Sequence, residues 1–124
     1  MSSATLIAYF VAALFAFMGL GSIVLPSKTL AQFDISDLNA DGRNEVRAVY
    51  GGFGLAMALL LIAATLVPDI RFGVMLTISV ALSGMAFGRI LSALIDREIG
   101  RMPLFYLVLE LIVAVLLFWS SVDA

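Results

Sequence analysis

Three charged residues lie within or beside otherwise apolar segments, and their types could do chemistry. Arg47 follows a polar stretch at residues 37–46, whereas Arg89 and Glu110 each interrupt a long apolar run. An arginine holds an anion through the forked donors of its guanidinium, and a glutamate can serve as its counter-ion or as a proton acceptor. These residues could therefore bind a small anionic or amphipathic molecule.

Helical spacing places further side chains beside these charges. Tyr50 shares a helix face with Arg47, and Tyr106 shares one with Glu110. The face of Arg89 also holds Met85, Ser92 and Asp96. At 1.5 Å per residue, Arg89 and Glu110 lie about 9 Å and about 12 Å inside their segments. We therefore predict a direct Arg89–Glu110 pair and a ligand-binding cluster of Arg47, Tyr50, Arg89, Tyr106 and Glu110, although such a pair can also fix helix register without a ligand.

The stretch DLNADG at residues 37–42 has the spacing of the first half of a calcium-binding EF-hand loop. Asp37, Asn39 and Asp41 are its candidate ligands. The twelfth position, however, holds Ala48 where a bidentate glutamate is required. We expect no metal here and interpret the stretch as a turn and helix cap, with Asp41 accepting from the first backbone N–H groups.

The composition excludes most other catalytic and cofactor chemistry. The chain of 124 residues contains no histidine and no cysteine. This removes zinc and haem sites built on those ligands, iron–sulfur clusters and histidine-dependent nucleophilic catalysis. We therefore expect no cofactor. A net charge of −2 provides no basic patch, so no nucleic acid is expected as a partner.

Hydropathy patterning indicates a membrane protein. Apolar residues make up 63% of the chain and charged residues 13%, whereas soluble domains hold about 45–50% and about 25%. We predict one integral-membrane domain over residues 1–124, an all-α, up-down antiparallel four-helix transmembrane bundle with both termini on the same side. The four segments long enough to span the hydrocarbon layer are residues 4–25, 46–67, 72–95 and 102–122.

The connections between these segments predict the orientation of the chain. Residues 26–45 form a long loop, whereas residues 68–71 and 96–101 are short turns that force antiparallel neighbours. The loop, the start of the second segment and the 96–101 turn together carry five basic residues, whereas the other side of the membrane carries only Arg71. By the positive-inside rule, these two connections face the cytoplasm and the termini face the periplasm.

Small residues at helical spacing predict close packing between helices. One stripe consists of Gly51, Gly52, Gly54 and Ala58 on the second segment. Gly84 and Gly88 form a second stripe on the third segment. Such residues allow helix backbones to approach one another in a membrane.

Two runs, NEVRAVYGGFGLAMALLL and GRILSALIDREIGRMPLFYLVLELIV, resemble a bacterial four-span family known as domain of unknown function 4345. This resemblance rests on the RAxYGG stretch at the start of the second span. It also rests on the GR of the third span, which includes Arg89, and the paired Glu110 of the fourth span. It implies a small integral protein of the inner membrane and no established activity. The chain also resembles four-span membrane glutathione transferase-like proteins in size and in carrying a Glu and an Arg, here Glu45 and Arg47, at the start of the second span. The spacing between these two residues is shorter than in that family, and the Asn that follows them in the family is missing.

The sequence favours the first of three functions and leaves the other two as alternatives. The first is a non-enzymatic accessory or scaffold subunit that packs in the lipid bilayer with itself or with a larger membrane complex. The second is a carrier or binding protein for a small anionic or amphipathic ligand, with Arg47 and Arg89 as its cations and Glu110 as counter-ion. The third is a membrane enzyme acting on lipid-like substrates. No residue is assigned as catalytic, and an enzyme is not the expected outcome.

Overall fold

The computed structural model describes residues 1–123, which are helical apart from short connections and contain no strand. Four helices in this range are long and apolar enough to cross a membrane. An all-α chain with four such helices is therefore confirmed. The elements are α1 (Ser3–Val24), α2 (Pro26–Ala31), α3 (Ala40–Val46), a π-helical segment (Arg47–Gly52), α4 (Phe53–Leu66), α5 (Pro68–Asp96) and α6 (Arg101–Asp123), with α3, the π segment and α4 continuous.

The outward faces of the long helices are apolar. Phe17 on α1 is 83% exposed, and Leu66 and Leu94 are also largely exposed. Exposed apolar surface on this scale is unusual in water-soluble monomers but matches the hydrocarbon interior of a bilayer. The surface is therefore compatible with a multi-pass membrane protein.

The chain divides into two compact units. The 9–63 unit holds most of α1 together with α2, α3, the π segment and most of α4. The other consists of residues 1–8 with residue 64 onward and is named the α5–α6 unit after its two long helices.

In the 9–63 unit, α1 approaches the π segment and α4 at glycines. A Cβ atom at Gly19 would lie 2.8 Å from both the Gly51 carbonyl oxygen and the Leu55 nitrogen. A Cβ atom at Gly54 would lie 3.0 Å from the Phe15 carbonyl oxygen. Earlier residues of α1 meet later residues of α4, so these helices run antiparallel. The close packing predicted for Gly51 and Gly54 is confirmed, whereas Gly52 is exposed and its Cβ position meets no other described helix within 4 Å.

The π segment widens one turn at this contact. The Phe53 N–H donates to the carbonyl of Ala48, five residues earlier, as a π turn requires. Gly51 is buried within the segment, and a Cβ atom there would lie 2.6 Å from Cγ1 of Ile23. Hydropathy periodicity does not predict this turn, because it reports which residues are apolar and not how the backbone bonds.

The connection between the first two long helices is shorter than the loop predicted over residues 26–45. Pro26 begins the short helix α2, and the second long helix starts at Ala40 rather than at residue 46. Its cap is Asn39, whose backbone is extended and whose Oδ1 accepts from the Gly42 N–H at 2.8 Å. The prediction of Asp41 as the cap is wrong, because Asp41 already lies in the first helical turn.

The short turn predicted between the second and third spans is instead the first turn of α5. Val67 alone separates α4 from α5, and Pro68 occupies the first helical position, where its fixed φ suits a helix. Arg71 donates from Nε to the Ala64 carbonyl and from Nη2 to the Thr65 carbonyl, both at 3.1 Å. These bonds satisfy carbonyls at the end of α4 and allow the abrupt turn.

In the α5–α6 unit, the two long helices pack as an antiparallel pair. The Ser79 hydroxyl of α5 donates to the Ala114 carbonyl of α6 at 2.6 Å. The buried side of α5 repeats every four residues, as a helix with one packed face requires. It includes Val74, Ile78, Leu82 and Ala86.

The second small-residue stripe, Gly84 and Gly88, is not packed within the described part of the chain. A Cβ atom at either glycine would meet no atom within 4 Å outside its own local backbone. Both residues lie on the exposed side of α5. The close packing predicted for them is therefore not found among residues 1–123.

Gly19→Ala should destabilise the protein, with Gly84→Ala as its matched control. Both substitutions gain about 1 kcal/mol of helix propensity, but only the new Cβ at residue 19 meets backbone atoms of another helix. We expect Gly19→Ala to lower the midpoint of thermal unfolding in detergent and Gly84→Ala to maintain or raise it. Equal shifts for both variants would contradict the close approach.

Candidate functional site

The α5–α6 unit contains an ion pair whose carboxylate is buried and whose arginine is partly exposed. Arg89 donates from Nε to Oε1 of Glu110 at 2.7 Å and from Nη2 to Oε2 at 3.1 Å. Glu110 is 5% exposed and the Arg89 side chain 24%. Two parallel charge-assisted bonds hold both the separation and the orientation of the groups. The direct pair predicted from helical spacing is confirmed.

Tyr106 adds an aromatic ring to this pair. The guanidinium carbon of Arg89 lies 5.6 Å from the centre of the Tyr106 ring, within the range of a cation–π interaction. Tyr106 and Glu110 are about one helical turn apart, so α6 presents both to the same arginine. Three of the five predicted ligand-binding residues are thereby brought together.

The two helices place the pair well inside apolar segments. At the helical rise, Arg89 lies about 10 Å from Asp96 at the end of α5, and Glu110 lies about 14 Å from Arg101 at the start of α6. An unpaired charge at the centre of a span costs about 2.5–3.5 kcal/mol on the insertion scale. Each charge therefore needs a partner, and the antiparallel helices provide it at matching depth.

A groove of about 570 Å³ lies beside the ion pair, towards the connection between α5 and α6. Arg89 forms part of its wall, whereas Glu110 is not among the lining residues. The groove is open along one side and is not an enclosed cavity. The wall also includes Gly88, Ser92, Asp96, Glu98 and Pro103.

Sequence reasoning identified only part of this wall. Ser92 and Asp96 share the predicted face of Arg89 because they follow it at helical spacing. Helical spacing does not predict Glu98 as a lining residue, because Glu98 lies in the connection after α5 and not in a helix. Gly88 carries no side chain, so only the shape of the groove reveals it.

Arg47 and Tyr50 lie in the 9–63 unit, where Arg47 has a partner of its own. Its Nε donates to the Ile23 carbonyl oxygen at 2.9 Å. Ile23 lies in the last turn of α1, where carbonyls lack intrahelical donors, so Arg47 caps that helix. Tyr50 is half-buried in the π segment. The predicted grouping of these two residues with the Arg89–Glu110 pair stays a prediction.

The acidic stretch at residues 37–42 serves as a helix entrance. Asn39 caps α3, and Asp37 adopts a left-handed backbone with φ of 60°, which Asp tolerates better than most residues. Among residues 1–123, no group of three or more His, Cys, Asp or Glu is arranged to hold a metal ion.

Glu110→Gln should destabilise the protein more than the double change Arg89→Gln with Glu110→Gln. The single change leaves a largely buried guanidinium without its anion, at a cost towards the lower end of about 3–5 kcal/mol. A double-mutant cycle from unfolding in detergent measures the coupling between the two residues. Glu45→Gln, at an exposed carboxylate, is the control. If the losses of stability in Arg89→Gln and Glu110→Gln simply add up to the loss in the double variant, the pair contributes no coupling energy.

The family described as a domain of unknown function, DUF4345, matches residues 3–121. This range includes the RAxYGG stretch and both members of the ion pair, so the resemblance found from the sequence is confirmed. No match was found among curated proteins or among solved structures. The chain therefore belongs to the DUF4345 family, for which no activity is established.

Proposed function

We propose that this is an integral membrane protein that binds a small amphipathic molecule in the groove of the α5–α6 unit. The observation that carries this proposal is a groove of about 570 Å³ with Arg89 in its wall and the buried Glu110 holding that arginine in place. The four long apolar helices support a protein that crosses the membrane several times.

The geometry of Arg89 suits a binding role. Its bonds to Glu110 use Nε and Nη2, so Nη1 is not engaged by that carboxylate. Because the orientation of the guanidinium is already set, a ligand loses less free energy in ordering it. Met85, one turn further from the 96–101 connection than Arg89, provides apolar wall for the tail of an amphipathic ligand.

We also propose one integral-membrane domain over residues 1–124, located in a bacterial inner membrane. In this arrangement residues 26–45 and 96–101 face the cytoplasm and both termini face the periplasm. The excess of basic residues on these two connections, against Arg71 on the other side, supports it. The groove then lies in the cytoplasmic half of the membrane, because it is lined by residues near the 96–101 connection.

Gly88→Leu should abolish binding by filling the groove, whereas Gly84→Leu should not. Gly88 lines the groove, and Gly84 lies one turn away on the same exposed side of α5 without lining it. Native mass spectrometry of protein purified in mild detergent from its own membrane measures the small molecules that it retains. We expect retention by the wild type and Gly84→Leu and its loss in Gly88→Leu. Equal retention by all three proteins would refute the groove as the site.

An accessory or scaffold subunit is the second candidate function, and the exposed side of α5 favours it. Gly73, Gly84 and Gly88 leave open space where a Cβ atom would lie. Small residues allow another transmembrane helix to approach closely. A second copy of this chain or a larger membrane complex is the proposed partner within the bilayer.

Gly84→Leu should release such a partner, with Gly21→Leu as the matched control. Both glycines are exposed and have no neighbour within 4 Å of the added Cβ position, but Gly21 lies on α1. We expect native mass spectrometry to show a complex for the wild type and Gly21→Leu and a lone chain for Gly84→Leu. A lone chain in the wild-type preparation would exclude this second function.

A further inference from the structure

We infer that the groove of the α5–α6 unit binds a zwitterionic phospholipid, with the phosphate at Arg89 and the ammonium group at Asp96 and Glu98. This inference rests on the proposed binding function and names its ligand class. It follows from the signs and the order of the charged residues that line the groove.

The groove is lined by charges of both signs at different depths. Arg89 lies on the inner part of its wall, and Asp96 lies two helical turns further towards the end of α5. Glu98 follows in the connection and lines the same groove. Among the described residues, neither carboxylate forms an ion pair. The inner part therefore offers donors from a cation, and the outer part offers acceptors without a cation of their own.

Ser92 lies between the two ends, about one turn from Arg89 and one turn from Asp96, and lines the groove. A phosphate held by Nη1 of Arg89 can accept a second hydrogen bond from the Ser92 hydroxyl. The ammonium of the same head group then extends towards Asp96 and Glu98. In a phospholipid the ammonium is the outermost group and the phosphate follows it inward, which is the order in which the groove presents its partners.

The charge balance argues against a head group of a single sign. Glu110 neutralises Arg89. Asp96 and Glu98 are the remaining charged residues of the groove lining, while Arg97 and Arg101 of the same connection offset their net charge without lining the groove. An anionic head group would engage Arg89 but would bring no cation to Asp96 and Glu98. A purely cationic head group would satisfy them but would leave Nη1 of Arg89 without a negatively charged acceptor. Only a head group with both charges uses both ends of the groove.

The test is competition between head groups on the same acyl chains. Wild-type protein in detergent is mixed with equal amounts of phosphatidylethanolamine, phosphatidylglycerol, a diacyl trimethylammonium lipid and diacylglycerol. Native mass spectrometry then counts the bound species. We expect phosphatidylethanolamine to be enriched about five-fold over each of the others, the scale of one partly exposed ion pair. Preferential binding of the anionic or the cationic lipid would overturn the inference.

Two double variants assign the preference to the groove. Asp96→Asn with Glu98→Gln should remove the enrichment of phosphatidylethanolamine over phosphatidylglycerol. Glu45→Gln with Asp69→Asn removes the same net charge at residues outside the groove lining and should leave the enrichment unchanged. An equal effect of both double variants would overturn the assignment of the ammonium group to Asp96 and Glu98.

Failure of this inference can be told apart from failure of the proposed function. Binding of all four lipids without preference, lost in Gly88→Leu, would leave the groove as an amphipath site and overturn only the head-group assignment. Binding that Gly88→Leu does not affect would overturn both. Competition by soluble phosphoethanolamine would assign the site to a free zwitterion rather than to a lipid.

Discussion

A charge inside an apolar layer must find a partner, and this requirement organises the α5–α6 unit. Arg89 and Glu110 come from different helices, so each helix neutralises the other. Their two parallel bonds tolerate little sliding of α5 along α6, because both would lengthen together. The hydrogen bond from Ser79 to Ala114 holds the same register of α5 against α6, nearer the end of the two helices that lies away from their connection. The position of the groove depends on this alignment.

The 9–63 unit achieves its packing through backbone contact instead of charge. Gly19 and Gly51 let α1 and the π segment approach to a distance at which a side chain would collide. Arg47 then reaches the carbonyl of Ile23 at the end of α1. The RAxYGG stretch thus has a structural explanation in the described chain, in which its arginine caps a helix and its glycine provides space.

A structural role and a binding role for the Arg89–Glu110 pair are compatible. The carboxylate engages one edge of the guanidinium, and this engagement holds the remaining donors in defined directions. A flexible surface arginine would have to be ordered by each ligand that it meets. The same two bonds that align the helices therefore also prepare Arg89 for a ligand in the groove.

Composition and spacing by themselves determined that this chain has four long apolar helices and that Arg89 meets Glu110. Both follow from local periodicity and from the cost of burying an isolated charge. Hydropathy alone misplaced the Asn39 cap and the start of α5, which local capping residues set, and only the tertiary structure decided the π segment and the groove beside Arg89. These features depend on backbone bonds and on space between residues distant in sequence, which a pattern of apolar residues does not record.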